Sequence, residues 1–389
     1  MARCVGRANG VAPAVGFEPT TWRLTAARST TELRRSEGPS GTVGDGPGAT
    51  PRDRIAWGEM SLIAPLDLAA RLGDQDLRVV DVRWYLGEPG RGRRAYDAGH
   101  LPGAIFLDMD TDLAATSGPG RHPLPQPALL AERLGRAGIG SDDFIVACDD
   151  VTGWVAARLW WMLDDLGHAR VALLDGGFPA WIAAGLPVTT EIASLPPARL
   201  SLADHWTRVV DRDQLLGRLG EVVVLDARAP ARYRGEIEPI DPVAGHIPTA
   251  RNAPTADNLG PDGRFLPPDA LAARFRSLGV GVAEGARVST DGDGVGRVGG
   301  AGGVGGVDGV GAAAVDGAAV GDGAAAGDGA AETDVVTSCG SGVSACHNAL
   351  AIRLAGLPSP LLYPGSWSDW STAGFPVAMG PDPGEAPRD

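Results

Sequence analysis

The chain has 389 residues, enough for two ordinary domains with a core each. Its 48 Asp and Glu outnumber 34 basic side chains, all of them Arg because Lys is absent, for a formal charge of −14. That balance argues against a nucleic-acid binder, which needs a basic face, while leaving room for a local Arg cluster that receives a small anion.

The four cysteines, Cys4, Cys148, Cys339 and Cys346, make neither a disulfide framework nor a zinc-ligand spacing. No apolar run is long enough to span a membrane, and the first residues lack a secretory pattern. Free thiols in a reducing cytoplasm are the expectation.

In chain order, residues 1–59 show no sustained helical or alternating period and are expected to be a disordered tail. Met60 is a candidate start that would leave them untranslated, and MSLIAPLDLAARL suits a first helix. The chain then repeats itself. One unit carries LRVVDVRW (77–84), AGHLPGA (98–104), FIVACDD (144–150) and LLDGGFPAWIAAGLPV (173–188). The other carries EVVVLDAR (221–228), AGHIPTA (244–250), DVVTSCGSG (334–342) and LLYPGSWSDWSTAGFPV (361–377). Short β-branched runs bounded by Gly or Pro alternate with helical patterns such as TGWVAARLWWMLDDLG (152–167). This predicts an α/β protein of two tandem domains, each a mainly parallel sheet with helices on both faces. The boundaries read as 60–192 and 215–380, with 193–214 as linker.

The units keep register: Asp81 to His100 is 19 positions and Asp226 to His246 is 20. Further on they diverge, with 49 positions from His100 to Asp149 but 93 from His246 to Cys339. The excess falls at 291–331, almost wholly Gly, Ala, Val and Asp, which reads as a disordered insert with too little apolar bulk to order. GVGRVG (294–299) fits a dinucleotide-binding template by letter only, since no strand–turn–helix pattern surrounds it.

Cys339 lies between a buried-strand pattern and a helical one. The letters CGSGVS allow a tight loop whose backbone N–H groups converge, and such a nest at a helix N-terminus stabilises a thiolate. A thiolate attacks sulfur, and the same donors can hold the resulting persulfide anion. The alternative is an inert buried Cys at a strand end. Arg six positions after the Cys, as in cysteine phosphatases, is absent, because position 345 is Ala.

CGSGVSACHNAL resembles the active-site loop of the 3-mercaptopyruvate sulfurtransferases of the rhodanese superfamily, as do the paired AGH(L/I)P motifs and the terminal GSW-x-x-W (365–370). The resemblance covers about residues 62–380. It implies that Cys339 carries sulfur as a persulfide, with Ser341 as a second catalytic residue. It further implies that Gly340, Ser341, Gly342, Val343 and Ser344, with Arg232, bind substrate, and that His100 relays a proton. The recurrence of that histidine as His246 favours a turn-stabilising role for both.

No cofactor or metal is implied. The partners implied are a small-molecule sulfur donor and an acceptor: thioredoxin, a small thiol or cyanide. The uncharged loop suits 3-mercaptopyruvate. Asp241, where these enzymes usually carry a second Arg, suits thiosulfate:cyanide transfer instead, unless Arg234 or Arg251 substitutes. A non-catalytic sulfur carrier or regulatory module is the further alternative.

In the first unit Asp149 stands where Cys339 stands in the second, so that half is expected to be catalytically silent. Cys148, Cys346 and the pair Trp160 and Trp161 read as packing residues, and Arg121 and His122 as a loop that could overhang the cleft.

Overall fold

A computed structural model describes residues 61–281 and 334–387. The tail at 1–59, Met60, Cys4 and the insert at 291–331 with its GVGRVG lie outside them. Nine strands and ten helices alternate along the described chain. The first half holds β1 (Leu62–Ile63), α1 (Pro65–Ala69), β2 (Leu77–Asp81), α2 (Arg91–Ala98), β3 (Ile105–Phe106), α3 (Pro127–Arg136), β4 (Phe144–Cys148), α4 (Ala156–Asp165), β5 (Val171–Leu174) and α5 (Gly177–Ala183). The second holds α6 (Arg212–Leu216), β6 (Val223–Asp226), α7 (Pro230–Tyr233), β7 (Arg251–Asn252), α8 (Pro268–Ser277), β8 (Val335–Ser338), α9 (Ala345–Leu354), β9 (Leu361–Leu362) and α10 (Ser366–Trp370).

The sheets are ordered β1-β5-β4-β2-β3 and β7-β6-β8-β9, and every ladder is parallel. Central strands β4 and β8 are buried on both faces, which is why FIVAC and VVTS read as unbroken apolar or β-branched runs.

The register confirms the repeat residue by residue. Asp81 pairs with Cys148 and Asp226 with Ser338, so Asp149 and Cys339 occupy the same next position. Each strand-end aspartate binds the arginine two residues on, Arg83 or Arg228, whose guanidinium also donates to the carbonyl of Gly99 or Gly245.

Two expectations change. MSLIAPLDLAARL is not one helix: Leu62–Ile63 is an edge strand beside β5, and the helix starts at Pro65, whose fixed φ and missing N–H suit a first turn. Nor is 193–214 a free linker. Ala198 and Ser141 bond to Gly135 and Arg199 across it, and Val209 bridges Leu362 in parallel, taking in the second sheet the edge place that β1 has in the first. Helix α6 then begins at Arg212 behind an Asp211/Gln214 capping box.

Both sheets belong to one compact unit. A single apolar cluster runs from Ile145 and Ala147 of β4 through Trp160 and Met162 of α4 to Cys346, Ala349 and Leu350 of α9. The two halves therefore share a core, and this contact brings first-half residues onto the Cys339 loop. No described helix is long and apolar enough to cross a membrane.

Candidate active site

Cys339 follows β8 and is 2% exposed, at the base of a pocket of about 240 Å³. Its N–H donates to Ser366 Oγ at 3.0 Å, and the Gly342 N–H donates to its Sγ at 3.1 Å. The loop carbonyls turn the other way: Cys339 O accepts from Trp367 N–H (3.0 Å) and Gly340 O from Ser368 N–H (2.9 Å). With the carbonyls held by the first turn of α10, Gly342 N–H is left to face the sulfur. Gly342 has φ +76° and lies against the Pro364 carbonyl, so a Cβ there would be both strained and obstructed. The GSW-x-x-W motif thus acts locally: Ser366 and Trp367 fix the loop, and Trp370 fills the core beneath.

Arg121 and Arg232 line the pocket around Gly340, whose Cα hydrogen points at both guanidinium groups; a Cβ there would lie 3.0 Å from Arg121 Nη2 and 3.5 Å from Arg232 Nη1. Both cations are compensated. Arg232 binds Glu238 at 2.7 Å and Asp241 at 3.2 Å, and Arg121 binds the other oxygen of Asp241. Burial pushes the Asp241 carboxyl above its ordinary range despite these partners. Arg121 Nε has no partner.

Ser341 Oγ lies 2.7 Å from His122 Nδ1, and His122 Nε2 lies 3.3 Å from Asp110 Oδ1. Trp84 Nε1 holds the other Asp110 oxygen at 2.9 Å, and its ring meets the imidazole edge-on. Burial, with the nearby Arg158 charge, pulls His122 down to about 4, so the imidazole is neutral at pH 7. With its proton on Nε2 facing Asp110, Nδ1 accepts from the Ser341 hydroxyl. The chain Ser341–His122–Asp110 is therefore a continuous proton path ending in the pocket.

Among the residues expected from the sequence, the structure brings Cys339, Gly340, Ser341, Val343, Ser344 and Arg232 to this pocket, with Gly342 behind the sulfur. His100 is not with them. It is 0% exposed, stacks on Tyr96, and both ring nitrogens meet backbone carbonyls, of Tyr96 and Glu191. His246 repeats the arrangement on Tyr233. With both nitrogens against carbonyls and the ring away from the pocket, this geometry favours the turn-stabilising role over the relay. Arg234 pairs with Glu236 at the surface, and Arg251 donates to the Leu278 carbonyl, so neither takes the place of a second substrate Arg. Cys148, Cys346, Trp160 and Trp161 are core residues, and the Cys346 thiol donates to Gly342 O at 3.4 Å.

Asp149 fills its own loop. Its carboxylate accepts N–H bonds from Val151, Gly153, Val155 and Ala156 at 2.8 to 3.0 Å. Asp110, Arg158 and Trp84 were not legible as site residues. They come from the other half of the chain, and nothing in their spacing marks them.

The first half matches the rhodanese-like domain family over residues 64–184. A Pseudomonas aeruginosa protein named "Probable 3-mercaptopyruvate sulfurtransferase" is 42% identical over 326 residues, 82% of this chain and 98% of that protein. The chain belongs to the rhodanese superfamily. Human 3-mercaptopyruvate sulfurtransferase is 32% identical over 78% of this chain and 88% of its own length. Among solved structures, the 3-mercaptopyruvate sulfurtransferase from Leishmania major superposes with TM-score 0.61 at 27% identity, covering 84% of this chain and 76% of that one. As a rhodanese-superfamily sulfurtransferase the chain is an enzyme, and its α/β fold of two parallel sheets is the one its relatives carry.

Proposed function

We propose that this sulfurtransferase takes sulfur from 3-mercaptopyruvate and carries it as a persulfide on Cys339. The observation that supports this most is the pocket over the Cys339 loop: two guanidinium groups beside Gly340, already compensated by Glu238 and Asp241, with a neutral proton path at Ser341. A compensated pair can orient one carboxylate, whereas a dianion such as thiosulfate would face the two fixed carboxylates behind the arginines.

Cys339 thiolate attacks the donor's sulfur. The S–S bond forms as the C–S bond breaks, and the bonding pair leaves as the enolate of pyruvate. Arg232 and Arg121 hold the carboxylate. Ser341 oxygen takes the donor's S–H proton while passing its own to His122 Nδ1, and the reverse transfer delivers that proton to the enolate carbon. Pyruvate and the Cys339 persulfide anion result, the latter held by Gly342 N–H. A second nucleophile, a thiol of a small molecule or of thioredoxin, or cyanide, removes the outer sulfur.

In this reading residues 60–192 form the silent half, Asp149 occupying the nest, and 215–380 the catalytic half. The edge segment at 208–210 and α6 belong with the second. A cytoplasmic setting suits a sulfur carrier that works through a free thiol.

The test is kcat/KM for 3-mercaptopyruvate against thiosulfate, with intact mass after each donor. A gain of one sulfur on Cys339 and a preference for mercaptopyruvate are expected. Thiosulfate preference would overturn the donor, and full turnover by Cys339→Ser would overturn the carrier.

A further inference from the structure

We infer that Arg158, a residue of the silent half, is the positioning residue whose charge balances the Cys339 thiolate and persulfide. The inference rests on Cys339 being the sulfur carrier.

Arg158 lies in α4, is 0% exposed, and no carboxylate lies within ion-pairing distance of it among the described residues. Burying an unpaired charge is expensive, and Arg does not escape by losing its proton. Besides its contact with the Cys346 thiol, it makes two bonds to backbone carbonyls, and both go to the active-site machinery. Nη1 donates to the Gly342 carbonyl at 2.9 Å, in the loop whose Gly342 N–H meets Cys339 Sγ. Nη2 donates to the His122 carbonyl at 2.9 Å, in the segment whose imidazole meets Ser341. One guanidinium thus fixes the sulfur-facing turn and the proton path against each other, while Nε has no partner.

The other cations near the loop are already matched. Arg228 binds Asp226 and Glu238, Arg232 binds Glu238 and Asp241, and Arg121 binds Asp241. Among the described residues around the loop, Arg158 alone brings a charge with no carboxylate partner. Two groups beside it can become anionic, Cys346 and Cys339. Cys346 is held as a thiol, since burial pushes it up to about 12, and it spends its hydrogen on Gly342 O. The remaining anion is the one the reaction makes, first on Cys339 Sγ and then on the outer persulfide sulfur. In this arrangement the silent half contributes the positive end of the charge pair, and the loop contributes the negative end only when it is loaded or ready to react.

The experiment uses the full chain with Arg158→Met, which keeps the stem and removes the charge, and Arg158→Lys, which keeps the charge and loses the two-pronged bond. The rate of iodoacetamide modification of the Cys339 peptide is followed against pH by mass spectrometry, beside kcat/KM for mercaptopyruvate. In Arg158→Met the alkylation profile should move to higher pH by a unit or more, with kcat/KM at pH 7 down about tenfold per unit and recovering as pH rises. Arg158→Lys should keep the wild-type profile within half that shift. A folded Arg158→Met with the wild-type profile overturns the inference. So does a folded Arg158→Lys whose profile moves by a unit or more although the charge is kept, and Arg158→Gln, held to the criterion set for Arg158→Met, decides the matter should the Met variant not fold. If instead wild-type Cys339 takes up no sulfur from either donor, the carrier assignment fails, whatever the variants show.

Discussion

The loops after β4 and β8 start from the same backbone and end in opposite chemistry. In the first, the Asp149 carboxylate gathers four N–H bonds from residues 151–156, so the nest is filled by a side chain of its own. Beside it, the Tyr85 hydroxyl donates to Asp150. In the second, Cys339 Sγ takes one N–H bond, from Gly342, and opens onto a pocket of about 240 Å³. The same β-strand end can therefore fill its donors with its own carboxyl group or offer them to an anion that comes and goes. The difference lies in which side chain follows the strand and in how many donors it consumes. The filled half is not idle, since it supplies Arg121, His122, Asp110, Trp84 and Arg158 to the open one.

Making the second loop like the first gives the largest effect. Cys339→Asp should fold and lose turnover by about a thousandfold or more, with no sulfur gained in intact mass. Residual loading above background would show that another thiol carries the sulfur. Cutting the proton path comes next. Ser341→Ala or His122→Ala should lower kcat with mercaptopyruvate about a hundredfold. The loss should be clearly smaller with thiosulfate, whose sulfite leaving group needs no carbon protonation. Equal losses with both donors would remove the relay and leave a packing role.

The imidazole itself gives a third measurement. The folded value of about 4 for His122 lies below the ordinary 6.5, so stability linked to it is present above 6.5 and is lost as pH falls toward 4. An NMR titration of His122 in the folded protein should show a midpoint near 4, and a midpoint near 6.5 would mean the ring is not held as described.

The smallest effects test the filled half. Asp149→Asn should cost about 1–3 kcal/mol in denaturant unfolding, since two of the four N–H groups lose their acceptor to a facing NH2 and the other two keep only a neutral one, while kcat/KM is retained. His100→Ala should cost a similar amount and leave the pH–rate profile unmoved, as His246→Ala should. A displaced profile in the His100 variant alone would restore a catalytic role to it.

The sequence by itself determined the repeat, because strand-end Asp, AGH-P turns and β-branched runs recur at matched spacing and each is a local device. It singled out Cys339 as the candidate carrier too, since a thiol in a glycine-rich strand-to-helix turn is legible within six letters. It did not show the edge role of Val209 or the start of α6, because a one-residue bridge leaves no period to read. It left His100 between a relay and a turn role, because the carbonyls of Tyr96 and Glu191 come within 2.7 and 3.0 Å of its ring nitrogens only once the turn is folded. The contacts from Ser341 through His122 to Asp110 and the placement of Arg158 were decided by tertiary structure alone. Both depend on α4 and the 108–123 segment of one half meeting α9 and its loop in the other, across a shared apolar core that no local pattern specifies.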